Sequence, residues 1–88
     1  MSAPEVTVYT TAWCPFCMRA KALLQRKGVA FREVDVEAGR ALREEMIARS
    51  GRRTVPQIFI GEHHVGGSDE LMLAEQNGEL DRLLQATA

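Results

Sequence analysis

Cys14 and Cys17 are the two cysteines of this chain, and both fall in one four-residue window, Cys14-Pro15-Phe16-Cys17. A thiol at the start of a helix faces backbone N–H groups that have no partner. Their field favours the thiolate, the form that acts as a nucleophile. The flanking sequence places the pair there. Upstream, Val6-Thr7-Val8-Tyr9-Thr10 is β-branched and aromatic, as strands are. Downstream, residues 15–27 carry helix formers, with Ala20, Leu23 and Leu24 on one face. Pro15 suits the first helical position, where the amide hydrogen it lacks would have been unpaired. Cys14 is then the cap and Cys17 lies one turn on, about 5–6 Å away, within the span a disulfide accepts.

Two duller uses of the pair are weaker. As a structural staple the bond would close a ring of four residues, stabilising by about 2 kcal/mol on chain entropy. As a zinc site it supplies two ligands of the usual four. His63 and His64 are the other candidates of note, but neighbours on a strand point to opposite faces, so one at most could join. No metal is expected. A redox-active dithiol is the reading that remains.

The elements that must hold such a pair can be read along the chain. Eighty-eight residues suit one domain, 1–88, with a single core. Hydrophobic content of 45% and charged content of 26% are ordinary for a globular protein, and a net charge of −1 gives no reason to expect nucleic acid or an anionic membrane as partner. Met1 to Glu5 lacks a basic start, no apolar leader follows, and no run approaches membrane-spanning length. With cysteines confined to one Cys-x-x-Cys, the expected location is cytoplasmic. The first helix stops near Lys27-Gly28, and Ala30 to Val36 reads as a second strand in which Phe31 is out of step with Val34 and Val36. Residues 38–50 pattern as a helix with Leu42, Met46 and Ile47 inward, while Arg40, Arg43 and Arg49 read as a solvated face. Residues 57–60 and 63–66 form a hairpin around Gly61-Glu62. Ser68 reads as the cap of a third helix with Asp69 and Glu70 in its first turn. Asn77-Gly78 ends that helix, and Leu80, Leu83 and Leu84 mark a short last one. Met18, Met46 and Met72 read as core filler, and Trp13 either flanks the cysteines or packs inward.

This order, βαβ and then helix, hairpin and helices, predicts an α/β fold with a four-stranded mixed sheet flanked by helices. The first two strands are parallel through a right-handed crossover, and the hairpin adds antiparallel strands. A Cys-x-x-Cys after the first strand of such a unit reads as a thioredoxin-like redox site.

From Val6 to Leu84 the chain resembles the glutaredoxins. Four segments carry the likeness: Cys14-Pro15-Phe16-Cys17, close to the family's Cys-Pro-Tyr-Cys; Thr54-Val55-Pro56-Gln57-Ile58-Phe59-Ile60; Gly66-Gly67-Ser68-Asp69; and Ser50-Gly51-Arg52. The resemblance implies a glutathione-dependent thiol-disulfide oxidoreductase of thioredoxin-like fold that reduces protein disulfides and glutathione mixed disulfides. Glutathione is its co-substrate, and glutathionylated or disulfide-containing proteins are its partners. Cys14 would be the nucleophile and Cys17 the resolving thiol, in a monomer whose potential lies near −200 to −230 mV. The same resemblance implies a cis bond at Val55-Pro56, with the Val55 backbone turned toward the substrate. It makes glutathione-binding positions of Thr11, Phe16, Arg52, Thr54, Val55, Pro56, Gly67, Ser68 and Asp69. Backbone donors of Ser68 and Asp69 would take the γ-glutamyl carboxylate, and the Asp69 side chain its ammonium.

The chain departs from the family at two of these positions. Thr11 stands where a lysine commonly holds the glycyl carboxylate, so that duty would pass to Arg52 or Arg53, since arginine can grip a carboxylate bidentately. Phe16 replaces a tyrosine and leaves an apolar lip beside the cysteines. Two rival functions belong to related proteins. One is a thioredoxin-reductase-dependent electron donor to ribonucleotide reductase, against which Asp69 argues. The other is an iron-sulfur cluster carrier, which Pro15 disfavours.

Overall fold

A computed structural model describes residues 4–85. The leaderless start and the outer limits of the 1–88 domain expected from the sequence fall partly on residues outside that range. Eight elements follow in the expected order: β1 (Val6–Thr10), α1 (Pro15–Arg26), β2 (Arg32–Asp35), α2 (Arg40–Ser50), β3 (Gln57–Ile60), β4 (His63–Gly66), α3 (Ser68–Gln76) and α4 (Glu79–Leu84). The sheet order is β2-β1-β3-β4. β1 runs parallel to β2, with Tyr9 opposite Val34, and antiparallel to β3, with Val8 opposite Ile58. A central strand covered on both faces has no polar side, and all five residues of β1 are buried.

Strand alternation divides the interior in two. Val6, Val8, Ile58 and Ile60 meet Ala20, Leu23 and Leu24 of α1, Leu71 and Ala74 of α3 and Leu80 of α4. Tyr9, Val34 and Phe59 face the other way, toward Met46 of α2. Phe31 precedes β2 and packs into the first of these cores, while Val34 and Val36 belong to the second, which explains why it is out of step. Gly61 at the hairpin has φ +59, as a primed turn needs at its first central position. Lys27 closes α1 by pairing with Glu75 at 2.9 Å and Asp81 at 2.6 Å, which ties the end of that helix to α3 and α4.

Three side chains differ from their sequence reading, and the two alternatives for a fourth, Trp13, are reduced to one. Met18 is 61% exposed and fills no core, because it sits on the outer side of α1's first turn, whereas Met46 is fully buried. Trp13 is 92% exposed, which excludes the inward alternative. Arg49 does more than face solvent: its guanidinium lies 4.0 Å from the centroid of the Phe59 ring and donates to the Tyr9 hydroxyl at 3.0 Å, and that hydroxyl donates to Glu45. Burial raises the Tyr9 hydroxyl above its ordinary 10, so it keeps its proton as a donor. α2 is thus docked partly through charged groups. Lastly, the cap of α3 is Gly67 rather than Ser68, which is the first helical residue. The chain needs an extended residue at the cap, and the Glu70 carboxylate reaches back to it by accepting from the Gly67 N–H at 2.5 Å.

Candidate active site

β1 ends at Thr10, a short turn follows, and Cys14 stands at the N-cap of α1 with extended backbone, φ −107 and ψ 110. Its sulfur accepts from the Cys17 N–H at 3.2 Å. The positive end of the helix and a directed amide hydrogen therefore face Cys14 Sγ. Cys14 is half-buried, whereas Cys17 is fully buried one turn along. Burial, aided by the contact with Cys14, pushes the Cys17 thiol above its ordinary 9. One thiol is reachable, and the other keeps its proton at neutral pH.

Beside this helix start lies a cleft of about 260 Å³. Of the residues singled out in the sequence, Phe16, Arg52, Thr54, Val55, Pro56, Gly67, Ser68 and Asp69 all line it. Two more, Gln57 and Glu70, complete the lining. Thr11 does not line it, and its carbonyl accepts from the Thr10 hydroxyl at 3.2 Å. Arg53 is likewise absent from the walls, while its carbonyl accepts from Arg43 at 3.4 Å.

One wall is the segment from Thr54 to Gln57. The Val55–Pro56 peptide bond is cis, and the Val55 carbonyl stands 4.0 Å from Cys14 Sγ. The opposite wall is the start of α3. Here the buried Ser68 hydroxyl has no hydrogen-bond partner among the described residues, while Asp69 is exposed. Glu70 Oε1 takes the Gly67 N–H and, at 3.3 Å, the Arg52 guanidinium. The Gly67 amide, with Arg52 adding, holds the Glu70 carboxyl below its ordinary 4.5 despite some desolvation.

A depressed carboxyl contributes stability that is complete above its unfolded-state pKa and is lost as pH falls through the folded value. Glu70→Gln is therefore expected to lower the melting temperature near pH 7. The gap to wild type should close as pH drops below about 4. Thermal scans at several pH values check this, and a gap independent of pH would deny Glu70 the role. The effect is small, because the Arg52 and Glu70 side chains are each 48% exposed.

Phe16, which is 53% exposed, lines the cleft, and Trp13 and Met18 are also exposed large apolar side chains close to Cys14 in the chain. Among the described residues no cluster of three or more His, Cys, Asp or Glu could hold a metal ion. Among them, too, no helix is long and apolar enough to cross a membrane. The site therefore offers one accessible sulfur at a helix start, a protonated thiol behind it, and a cleft with open backbone, a helix N-terminus and one arginine. Such an arrangement suits thiol-disulfide exchange with a small, charged, peptide-like thiol. Gln57 and Glu70 were absent from the sequence-based site. Glu70 had a signal, since it stands three residues past Gly67 at capping-box spacing. Gln57 stands in the Thr54–Ile60 segment, but nothing in the sequence says which way its amide turns.

Residues 6–65 match the family described as Glutaredoxin. A glutaredoxin of Pseudomonas aeruginosa is 57% identical over 83 residues, covering 94% of this chain and 99% of that protein. Glutaredoxin 3 of Escherichia coli is 55% identical over 81 residues, with coverage of 92% and 98%. Among solved structures, the solution structure of a glutaredoxin from Brucella melitensis superposes with a TM-score of 0.86 at 53% identity, over 100% of this chain and 96% of that one. The crystal structure of a buckwheat glutaredoxin-glutathione complex gives 0.85 at 29% identity, over 96% and 78%.

Proposed function

The chain belongs to the glutaredoxin family and has its thioredoxin-like fold, and on that premise we propose that it is a glutathione-dependent oxidoreductase acting on glutathione mixed disulfides and protein disulfides. The observation that carries this reading is the placement of the accessible Cys14 sulfur at a helix start, 4.0 Å from the Val55 carbonyl that walls the cleft.

In the proposed cycle the Cys14 thiolate attacks the glutathionyl sulfur of a mixed disulfide. The old S–S bond breaks, the substrate leaves as a thiolate that takes a proton from water, and Cys14 becomes glutathionylated. The thiolate of a second glutathione attacks the glutathionyl sulfur on Cys14. Glutathione disulfide leaves, and Cys14 returns as thiolate. With a protein disulfide as substrate, the Cys14 thiolate forms a mixed disulfide with one substrate sulfur and releases the other as a thiolate. Cys17 then gives up its proton to that thiolate and attacks Cys14 Sγ. The second substrate sulfur leaves as a thiolate that takes a proton from water, and the Cys14–Cys17 disulfide is formed. Two glutathiones then reduce that bond.

For binding, the Val55 backbone pairs with the cysteinyl unit of glutathione in extended fashion. The N-terminus of α3, through the Ser68 and Asp69 amides, takes the γ-glutamyl carboxylate, and the Asp69 side chain takes the ammonium. Phe16 and Pro56 supply apolar walls, with Thr54 and Gly67 beside them. Arg52 takes the glycyl carboxylate and replaces the charge that Thr11 lacks. That assignment favours Arg52 over Arg53, because Arg52 alone of the two faces the cleft. A buckwheat relative is described in complex with glutathione.

The test is glutathione-coupled turnover of a small mixed disulfide. Turnover supports the reading. No glutathione-dependent turnover, with activity instead supported by thioredoxin reductase, would replace it with the rival electron-donor role. In the same assay Arg52→Ala is expected to raise the KM for the mixed disulfide about three- to tenfold, with kcat little changed, as loss of a half-exposed charge contact should. Arg53→Ala should leave KM as it is, and the reverse pattern would move the carboxylate contact to Arg53.

A further inference from the structure

The buried side chain of Gln57 is held by an arrangement that the catalytic cycle above does not use. Its Nε2 lies 3.0 Å from the Thr54 carbonyl and 3.2 Å from the Thr54 hydroxyl. A carbonyl can only accept, so the amide nitrogen must face Thr54 and the amide oxygen must face away. That oxygen lies 2.7 Å from His64 Nε2. With Gln57 only 1% exposed, His64 is the partner that keeps the oxygen from being buried unpaired. The bond also fixes the ring's tautomer, with the proton on Nε2 and Nδ1 free.

Packing holds the ring in place for this. It stacks on Phe59 with centroids 4.7 Å apart and planes 22° apart. A bulge in β4 makes that stacking possible. Ile58 pairs with Gly66 but Phe59 pairs with His64, so Val65 is the extra residue and His64 is brought to the Phe59 face.

We propose that His64 is a positioning residue for the substrate cleft, fixing the Gln57 amide and through it the Thr54–Val55 backbone against which the disulfide substrate lies. Thr54 and Val55 precede β3 and take no part in a strand ladder, so the Gln57 amide ties the Thr54 carbonyl in place of one. Without the His64 donor, the amide can rotate to satisfy its oxygen elsewhere, and the tie to Thr54 is lost. His64 touches no substrate in this scheme. It acts at a distance of two hydrogen bonds, on geometry alone. The inference deepens the glutathione reading and rests on it for its kinetic test.

Two substitutions separate this role from simple packing. His64→Phe keeps the stacking on Phe59 and removes the donor. His64→Gln supplies an N–H in place of the imidazole. Relative to wild type, His64→Phe is expected to raise the KM for a glutathione mixed disulfide roughly five- to tenfold with kcat within about twofold, and His64→Gln to restore most of the loss. A KM unchanged in His64→Phe, or raised equally in both variants in step with lost thermal stability, would overturn the proposal.

A measurement on wild type decides the matter if His64→Phe does not fold. The ring is faced by Arg49 from α2, Arg52 from the loop before β3, Glu70 from α3 and its own neighbour His63. Burial, with the arginines adding, holds its pKa below the ordinary 6.5. In an NMR titration the neutral His64 ring should carry its proton on Nε2, and the Gln57 side-chain amide bonded to that donor should shift with the midpoint of the ring as protonation at Nδ1 polarises it. A neutral ring protonated on Nδ1 instead, or a Gln57 amide that does not follow the ring, would sink the idea. Because the titration needs no substrate, it distinguishes failure of this inference from failure of the glutathione reading.

Discussion

Cys14→Ser is expected to abolish reduction of glutathione mixed disulfides, at least about a thousandfold, because a neutral hydroxyl cannot replace the attacking sulfur. Cys17→Ser is expected to keep that activity or raise it. The difference follows from geometry. Cys14 is half-buried at the helix cap and takes the Cys17 amide hydrogen at 3.2 Å. Cys17 is fully buried, and burial keeps its thiol protonated. In wild type the internal disulfide competes with productive turnover of a glutathionylated Cys14, and removing Cys17 ends that competition. Protein disulfides should behave differently: Cys17→Ser should stall as a covalent complex between Cys14 and the substrate protein, visible on non-reducing gels. Coupled assays of both variants on both substrate types check the scheme. Full loss of mixed-disulfide reduction in Cys17→Ser would show that the internal disulfide is obligatory.

Gly66→Ala should have the largest effect on stability of any single methyl added at a described glycine. Gly66 has φ +121, where side chains other than glycine are strained, and a Cβ built there would lie 2.6 Å from Glu70 Oε1 and 3.0 Å from its Cβ and Cγ. Glu70 would have to move. Its carboxylate would then leave both the Gly67 N–H that starts α3 and the Arg52 guanidinium. Backbone strain plus loss of the cap suggests about 2–3 kcal/mol, or roughly 10–20 °C in melting temperature for a chain of this size. Gly51→Ala is the control, since φ is +72 there but a Cβ meets nothing within 4 Å. It should cost about 1 kcal/mol. Thermal melts of the two variants give the comparison, and equal losses would place the whole cost in backbone strain. The glutathione KM of Gly66→Ala should also rise, because the displaced carboxylate belongs to the cleft wall.

Much of this was legible in the residues. β1, β3 and β4 have the expected limits because their β-branched and aromatic runs are bounded by turns, and α1 starts at Pro15 for a local reason. The four segments that resemble the family hold nine of the cleft residues, all but Glu70, since each is a short contiguous run that reaches a wall. What escaped the sequence were contacts that depend on which way a side chain turns. Met18 matches a core residue in composition but sits on the outer side of its helix. Arg49 follows a charged pattern, yet the aromatic face that receives it comes from a strand ten residues later. Ser68 has the composition of a cap, but the register of α3 begins one residue earlier. The His64–Gln57 pair depends on a bulge that no local pattern marks.

The two interior layers also differ in firmness, and the site spans both. α1, which carries Cys14, buries Cys17, Ala20, Leu23 and Leu24. α2, which leads through Ser50 and Gly51 into Arg52 and the Val55 wall, fully buries Met46 alone and leans on the Arg49–Phe59–Tyr9 stack. Helices with few buried apolar groups are the ones that open locally without unfolding the rest. The nucleophile is thus carried by the more deeply packed helix, and the Val55 wall follows the more lightly packed one. Breathing of α2 would vary the width of the cleft while leaving the position of the reactive sulfur unchanged. Under the proposed function, such a division would let one fixed sulfur meet disulfides of different bulk, from a tripeptide to the surface of a folded protein.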